Sequence, residues 1–259
     1  MSDEQAEPRT GERPERIAKL LARAGQCSRR DAERWIAAGR VSVDGRQLTT
    51  PATTVTAAND VRVDGKPLPI PGRPRLWRYH KPAGLVTSHR DERGRPTVFN
   101  ALPKDLPRLI SIGRLDLNSE GLLLLTNNGA LARRLELPST GWVRRYKVRV
   151  HGEVEPEEFT ALENGVTIDR VSYGPIRVSL ERRQGSNAWI AMALREGKNR
   201  EVRRVLEHLG LQVTRLIRLS YGPFQLGNLA RGAVAEVPHK VLREQLGDSE
   251  RAAHADRRR

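Results

Sequence analysis

The sequence predicts an α/β (α+β) chain in two parts. A small domain of two short helices and a little sheet precedes a larger domain built on a mixed, largely antiparallel sheet with flanking helices. Three observations carry this. Residues 15–65 open with two apolar helical stripes and close with a repeated strand-and-turn pattern. Residues 65–75 then hold four prolines, which forbid helix or central strand and favour an extended, semi-rigid spacer. Residues 76–246 consist of short β-prone runs with a few helical segments between them, as expected of a sheet with helices laid against it.

Composition narrows the classes of function. At 259 residues the chain can bury a sizeable core. Lys and Arg number 46 against 31 Asp and Glu, a formal net charge of +15. A partner bearing many phosphates follows, because such charge steers encounter and releases counterions on binding. Cys27 is the single cysteine. It excludes an intrachain disulfide and any thiolate cluster, fits a reducing cytoplasm, and is expected to pack at a helix end. No apolar run approaches the roughly twenty residues of a membrane span. The opening Met-Ser-Asp-Glu-Gln-Ala-Glu lacks a basic-then-apolar export signal, so a soluble, unexported protein is expected. The six histidines show no metal-ligand spacing, and no metal is expected.

Taken in order, residues 1–14 are polar and aperiodic and should be disordered. Ile17, Leu20, Leu21 and Ala24 then fall at i, i+3, i+4 and i+7, one apolar stripe of a helix that Gly25 ends. Ser28 followed by Asp31 reads as a capping box opening a second helix, whose Ala32, Trp35 and Ile36 face inward until Gly39. Val41-Ser-Val-Asp-Gly45 and Val61-Arg-Val-Asp-Gly65 are twin strand-plus-turn units. Arg16, Lys19, Arg23, Arg29, Arg30, Arg34 and Arg40 cluster around the two helices, a basic face suited to following an RNA backbone. The run from helix through Ser-Arg-Arg-Asp-Ala-Glu to Gly-Arg-Val-x-Val-Asp-Gly resembles the alpha-L RNA-binding domain shared with a ribosomal small-subunit protein, over residues 15–65.

Past the spacer, Leu76 to His80 reads as a strand entering a Lys81-Pro-Ala-Gly84 turn, and Ser88 to Pro96 as a charged loop. The run Ile110 to Gly129 is the centre of the chain. A β-prone segment ends at Gly113, a polar loop carries Arg114, Asp116, Asn118, Ser119 and Glu120, and four leucines re-enter a buried strand before an Asn-Asn-Gly turn. Asp116 is thereby held between two core strands. A carboxylate so placed serves chemistry or simply caps its own turn, and the residues alone leave both open. Ala130 to Leu137 should be a helix, and Arg144 to Val150 a strand with Tyr146, Val148 and Val150 on one face and Arg145, Lys147 and Arg149 on the other. A helix over Pro156 to Glu163 follows, then strands near Val166–Ile168, Gly174–Glu181 and Ala188–Leu194. The turn and strongly basic helix of 195–210 lead to a strand over Val213–Leu219. Gly197-Lys198 lacks the earlier glycine and the following Ser or Thr of a phosphate loop, which excludes nucleotide hydrolysis. The tail 247–259 should be disordered.

Gly113-Arg-Leu-Asp116, Gly121-Leu-Leu-Leu-Leu-Thr-Asn-Asn-Gly, Lys81-Pro-Ala-Gly, Arg145-Tyr-Lys-Val and Glu196-Gly-Lys-Asn-Arg-Glu-Val-Arg-Arg together resemble the RsuA-type ribosomal RNA pseudouridine synthases. The likeness covers residues 76 to about 240, in family order. It implies that Asp116 is the essential carboxylate, that Arg114 helps hold an extruded uridine, that Tyr146 stacks on its base, and that Arg203 pairs with Asp116. Lys81, Lys198 and Arg200 are expected to contact substrate. Read from the residues alone, Tyr146 equally suits a strand core and Arg203 an ordinary RNA contact. Asn128 stands where the family commonly has an acid, and Ser119 where Thr is usual. The implied activity is uridine-to-pseudouridine isomerisation in large-subunit ribosomal RNA. It would need no cofactor and would run on ribosomal RNA or an assembly intermediate, by a cytoplasmic monomer away from membranes. Small-subunit or transfer RNA as substrate, and a noncatalytic RNA-binding assembly factor, remain open.

Overall fold

The computed structural model describes residues 14–246, so the expectations for residues 1–13 and 247–259 lie outside the described residues. The chain forms two compact units that part between Arg73 and Pro74.

The first unit runs β1 (Glu15–Arg16), α1 (Ile17–Arg23), α2 (Arg29–Ala37), β2 (Val41–Val43), β3 (Arg46–Gln47), β4 (Thr54–Val55), β5 (Val61–Val63) and β6 (Lys66–Pro67). The capping box forms: the Ser28 hydroxyl accepts the Asp31 N–H at 3.0 Å, and the Asp31 carboxylate accepts back from the Ser28 N–H at 3.3 Å. Strands β2 and β5 pair antiparallel, each continuing through an Asp-Gly turn into its own hairpin. Asp44 and Asp64 both take φ +50°, followed by Gly45 at +78° and Gly65 at +76°, the left-handed pair a two-residue hairpin requires. Ile17, Leu21, Ala32, Ile36, Val41 and Val61 close one core, with Cys27 buried beside them. The short pair β1–β4 has no alternating run long enough to announce it in the sequence.

The second unit contains β7 (Leu76–Lys81), β8 (Ile110–Ile112), β9 (Ser119–Thr126), α3 (Gly129–Glu136), β10 (Arg144–His151), α4 (Pro156–Ala161), β11 (Val166–Ile168), β12 (Val171–Tyr173), β13 (Ile176–Gln184), β14 (Asn187–Leu194), α5 (Glu201–His208), β15 (Gln212–Tyr221), β16 (Phe224–Gln225) and β17 (Val234–Glu236). Nine of the strands form one sheet in the order β13-β14-β10-β15-β9-β7-β17, with β8 also on β9 and β16 on β15. All its neighbours are antiparallel except β15–β9, which run parallel. The sheet is thus mixed and largely antiparallel, with helices against it.

That parallel joint splits the core. On one side Val148, Val150, Ile190 and Met192 pack against Phe159 of α4 and Val202, Val205 and Leu206 of α5. On the other, Leu122 and Leu124 pack under Leu131 and Leu135 of α3, while Leu123 and Leu125 turn to the opposite face against Trp77 and Tyr79. All eight residues of β9 are buried. Its four leucines therefore feed two cores at once, as period-two alternation demands of a strand covered on both faces. Gly121 makes the joint possible. It sits at φ +101°, and a Cβ there would lie 2.3 Å from the Arg218 carbonyl oxygen.

Two local expectations change. Ser119 and Glu120 are the first residues of β9, not its loop, because their backbone pairs with Leu216 and Ile217 of β15. The Asn-Asn-Gly segment is a helix start: the Asn128 side chain accepts the Ala130 and Leu131 N–H groups, both at 2.9 Å, and caps α3. Three short strands, β12, β16 and β17, and helical residues 239–246 were not expected. Each is too brief or too polar to show a period.

Candidate active site

The loop 113–118 joins β8 to β9, and its fixity is built from the backbone outward. The Lys81 ammonium, at 0% exposure, donates to the carbonyls of Pro82 (3.0 Å), Asp116 (3.1 Å), Leu117 (3.3 Å) and Ser119 (2.9 Å). Gly84 N–H reaches the Leu117 carbonyl at 2.8 Å, and the Thr87 hydroxyl the Leu115 carbonyl at 2.8 Å. Burial pushes the Lys81 amine down to about 8, opposed by the nearby charges of Asp116 and Glu120. One buried cation therefore ties down three successive elements of the loop's backbone. The Asp116 carboxylate is left half-exposed, with no hydrogen bond or ion pair within 4.0 Å among the described residues.

The carboxylate lines a cleft of about 680 Å³, within the range of small-molecule sites. Tyr146 of β10 forms part of its wall at 8% exposure, its ring anchored among the buried residues packed by α5. Arg95, Arg114, Arg144, Lys198, Arg200 and Arg218 line it against only Asp116, Glu136 and Glu201. A cavity so lined attracts a polyanion, while its few carboxylates sit among cations.

Of the residues expected to carry chemistry, Asp116, Tyr146, Arg114, Lys198 and Arg200 share this cleft. Arg114 is exposed, with no side-chain partner among the described residues. Lys198 donates to the Ser172 carbonyl and to Glu196, both at 2.6 Å, and Arg200 stands in the left-handed region at φ +53° just before α5. Two expectations are corrected. Lys81 is not a substrate contact: its ammonium is wholly enclosed and spent on backbone carbonyls. Arg203 makes no ion pair with Asp116 within 4.0 Å. Its guanidinium donates to Asn118 O at 3.2 Å and Val213 O at 3.3 Å, supporting the end of the same loop from beneath. Burial lowers the Arg203 pKa, with the Asp116 charge opposing from a distance.

Several cleft residues went unpredicted. Arg218, 3% exposed, donates through Nε to the Leu122 carbonyl at 2.7 Å, while its Nη2 is buried without a partner. A charge in the buried register of Leu216, Arg218 and Ser220 was the available signal. Arg144 bonds the Tyr221 hydroxyl at 3.0 Å and lies over that ring at 4.6 Å. Glu201, 3% exposed, accepts the Lys198 N–H at 2.8 Å and so shapes the 198–200 turn, and burial raises its pKa.

The basic side chains of the first unit differ in availability. Arg16, Arg29 and Arg30 are exposed, with no side-chain partner among the described residues. Lys19 and Arg23 share Glu15, Arg34 pairs with Asp31, and Arg40 is bonded to Asp64 while lying 4.7 Å over Trp35.

Comparison with known proteins places these features. Residues 75–208 match the family model of the RNA pseudouridylate synthases, and residues 15–61 match that of the S4 domain. A protein of Rickettsia prowazekii named as an RNA pseudouridine synthase is 47% identical over 231 residues, covering 89% of this chain and 97% of that one. The ribosomal large subunit pseudouridine synthase B of Yersinia pestis is 42% identical over 234 residues, covering 88% of this chain and 74% of that one. A crystal structure of a pseudouridylate synthase matches with a TM-score of 0.62 at 24% identity, over 89% of this chain and 99% of that one, a likeness of fold.

Proposed function

As this chain belongs to the RNA pseudouridylate synthase family, we propose that it isomerises one uridine of large-subunit ribosomal RNA to pseudouridine, with Asp116 as the catalytic carboxylate. The observation that carries the residue assignment is the fixed Asp116 loop: a carboxylate without a protein partner, presented to a cationic cleft by a backbone that Lys81 and Arg203 hold rigid. The relatives named for the large ribosomal subunit support that choice of RNA.

The chemistry asks for what the cleft offers. The bond from uracil N1 to the ribose C1′ must break and one from C5 to C1′ must form, with the C5 proton lost. A paired, stacked base cannot do this, so the nucleotide is extruded and the cleft receives it. Tyr146 provides a rigid face against the base, Arg114 fills or braces the position it leaves, and Lys198 and Arg200 take adjoining phosphates. Asp116 acts beside the sugar and uracil as acid–base group or transient nucleophile. Exposed Arg16, Arg29 and Arg30 of the first unit bind RNA away from the target. The partner is ribosomal RNA or an assembly intermediate in the cytoplasm, and the enzyme works as a monomer.

The test is carbodiimide primer-extension mapping of ribosomal RNA from cells lacking the protein, complemented with wild type or Asp116→Asn. One site should vanish on deletion and return only with wild type. Restoration by Asp116→Asn would instead establish a noncatalytic binder.

A further inference from the structure

Strands β13, β14, β10 and β15 have two faces, and only one is covered. Helices α4 and α5 both pack on the side of Val148, Val150, Ile190 and Met192, the side to which Tyr146 also turns. Alternation sends Arg145, Lys147 and Arg149 to the other side, away from the cleft. The register then fixes who stands beside them. Arg145 lies opposite Ala193, which lies opposite Arg177; Arg149 lies opposite Trp189, which lies opposite Arg182. Four guanidinium groups therefore mark the corners of a patch ~10 Å across the strands and ~13 Å along them, floored by Ala191, Ala193 and a half-buried Trp189. Lys147, between them, sits 5.4 Å over the Trp189 ring and pairs with Glu181 at 2.8 Å.

Arg145, Arg149, Arg177 and Arg182 are exposed, and none has a side-chain hydrogen bond or ion pair among the described residues. Elsewhere in this unit exposed arginines are commonly neutralised, as Arg75 is by Glu236, Arg95 by Asp91 and Arg231 by Glu120. An uncovered sheet face carrying unpaired like charges repels itself and a cationic partner alike. It is complementary to closely spaced anions on a backbone. We propose that this face is a second RNA-binding surface, on the opposite side of the sheet from the catalytic cleft, which engages the phosphate backbone of an RNA segment remote from the target uridine, with Trp189 as an apolar floor. The choice of RNA as occupant rests on the reading of the chain as an RNA-modifying enzyme.

The test uses the full chain and protein-free large-subunit ribosomal RNA from cells lacking the enzyme. Filter-retention affinity is measured across a potassium chloride series, for wild type, Arg149→Ala/Arg177→Ala/Arg182→Ala, and the corresponding triple lysine variant. Each phosphate contact contributes about 0.9 to the salt slope on duplex. The alanine variant should lose about two units of slope and bind roughly tenfold or more weakly, while the lysine variant keeps most of both. Equal slopes for wild type and alanine variant overturn the proposal and leave a protein surface of the ribosomal particle as the occupant. Pseudouridine formation is read in the same wild-type samples. Its absence would count against the catalytic reading alone, since the slopes judge this face without turnover.

Discussion

Replacing Lys81 by Met separates loop positioning from stability. Met fills nearly the same volume but removes the donor to four carbonyls. Two of these keep backbone partners: Asp116 O accepts Ser119 N–H at 3.0 Å, and Leu117 O accepts Gly84 N–H at 2.8 Å. The loss therefore falls chiefly on Pro82 and Ser119, about 1–1.5 kcal/mol each, and is partly offset because a buried ammonium is no longer desolvated. Stability should fall by only about 1–3 kcal/mol. Catalysis should fall further, because a displacement of ~1 Å at a reacting group costs about a hundredfold. The pH profile adds an independent sign. With the native amine at about 8 and the unfolded one at 10.5, the unfolded chain binds more protons between those values. The contribution of this group to unfolding free energy therefore rises with pH across that window. In the same window the native amine loses a proton and with it one of its donors, so turnover should decline above pH 8 while the fold holds. Single-turnover pseudouridine formation and thermal unfolding, each followed from pH 7 to 10, give both curves. Lys81→Met should be slow at every pH, with the wild-type stability rise abolished. Wild-type turnover in the Met variant would refute the reasoning.

Other expectations are briefer. Tyr146→Phe should retain most single-turnover rate, whereas Tyr146→Leu should lose about 1–3 kcal/mol of base stacking, seen as a ten- to hundredfold slower reaction on RNA that still binds. Gly121→Ala forces a Cβ to 2.3 Å from a backbone oxygen and should cost about 3 kcal/mol or more, so a thermal midpoint within two degrees of wild type, on the scale set for a domain of this size, would contradict it. Glu201→Gln keeps the acceptor for Lys198 N–H but removes a buried charge. The raised Glu201 pKa means the native chain holds that proton to higher pH than the unfolded one, so wild-type stability falls as pH rises above 4.5, and urea titrations of the Gln variant should lack that component. Reversing Arg29 and Arg30 to Glu should weaken RNA affinity and flatten its salt dependence in a filter assay, with the fold unchanged by circular dichroism.

The parts of this structure legible in the sequence are those specified locally. The Ser28–Asp31 capping box, the paired Asp-Gly turns and the alternation of Arg144 to Val150 each fix their own geometry within a few residues. The position of Asp116 between two strands was legible for the same reason, since apolar runs bound its loop on both sides. What the sequence does not encode is which long-range partner a charged side chain finds. Lys81 and Arg203 look like surface cations in sequence, and only the crossing of β7 with β9, and the approach of α5 to β15, encloses them against carbonyls. Arg218 is the intermediate case. Its buried register is readable, but its place in the cleft depends on β15 meeting β9, a pairing across 96 residues.

That pairing explains why the cleft lies where it does. Each half of the sheet is an antiparallel set with its own core, and β9–β15 is the sheet's single parallel joint. Asp116 and Ser119 come from one half. Tyr146, Arg144 and the 198–200 turn come from the other, and Arg218 and Tyr221 stand on β15 at the joint itself. A parallel pair cannot be closed by a short hairpin, so its ends leave loops free to diverge and open a crevice. The relative placement of carboxylate and aromatic face then depends on how closely two backbones approach at Gly121, not on any contact between Asp116 and Tyr146. Changes at the joint should therefore disturb turnover more than they disturb either core, a separation that substitutions inside α3 or α4 cannot produce.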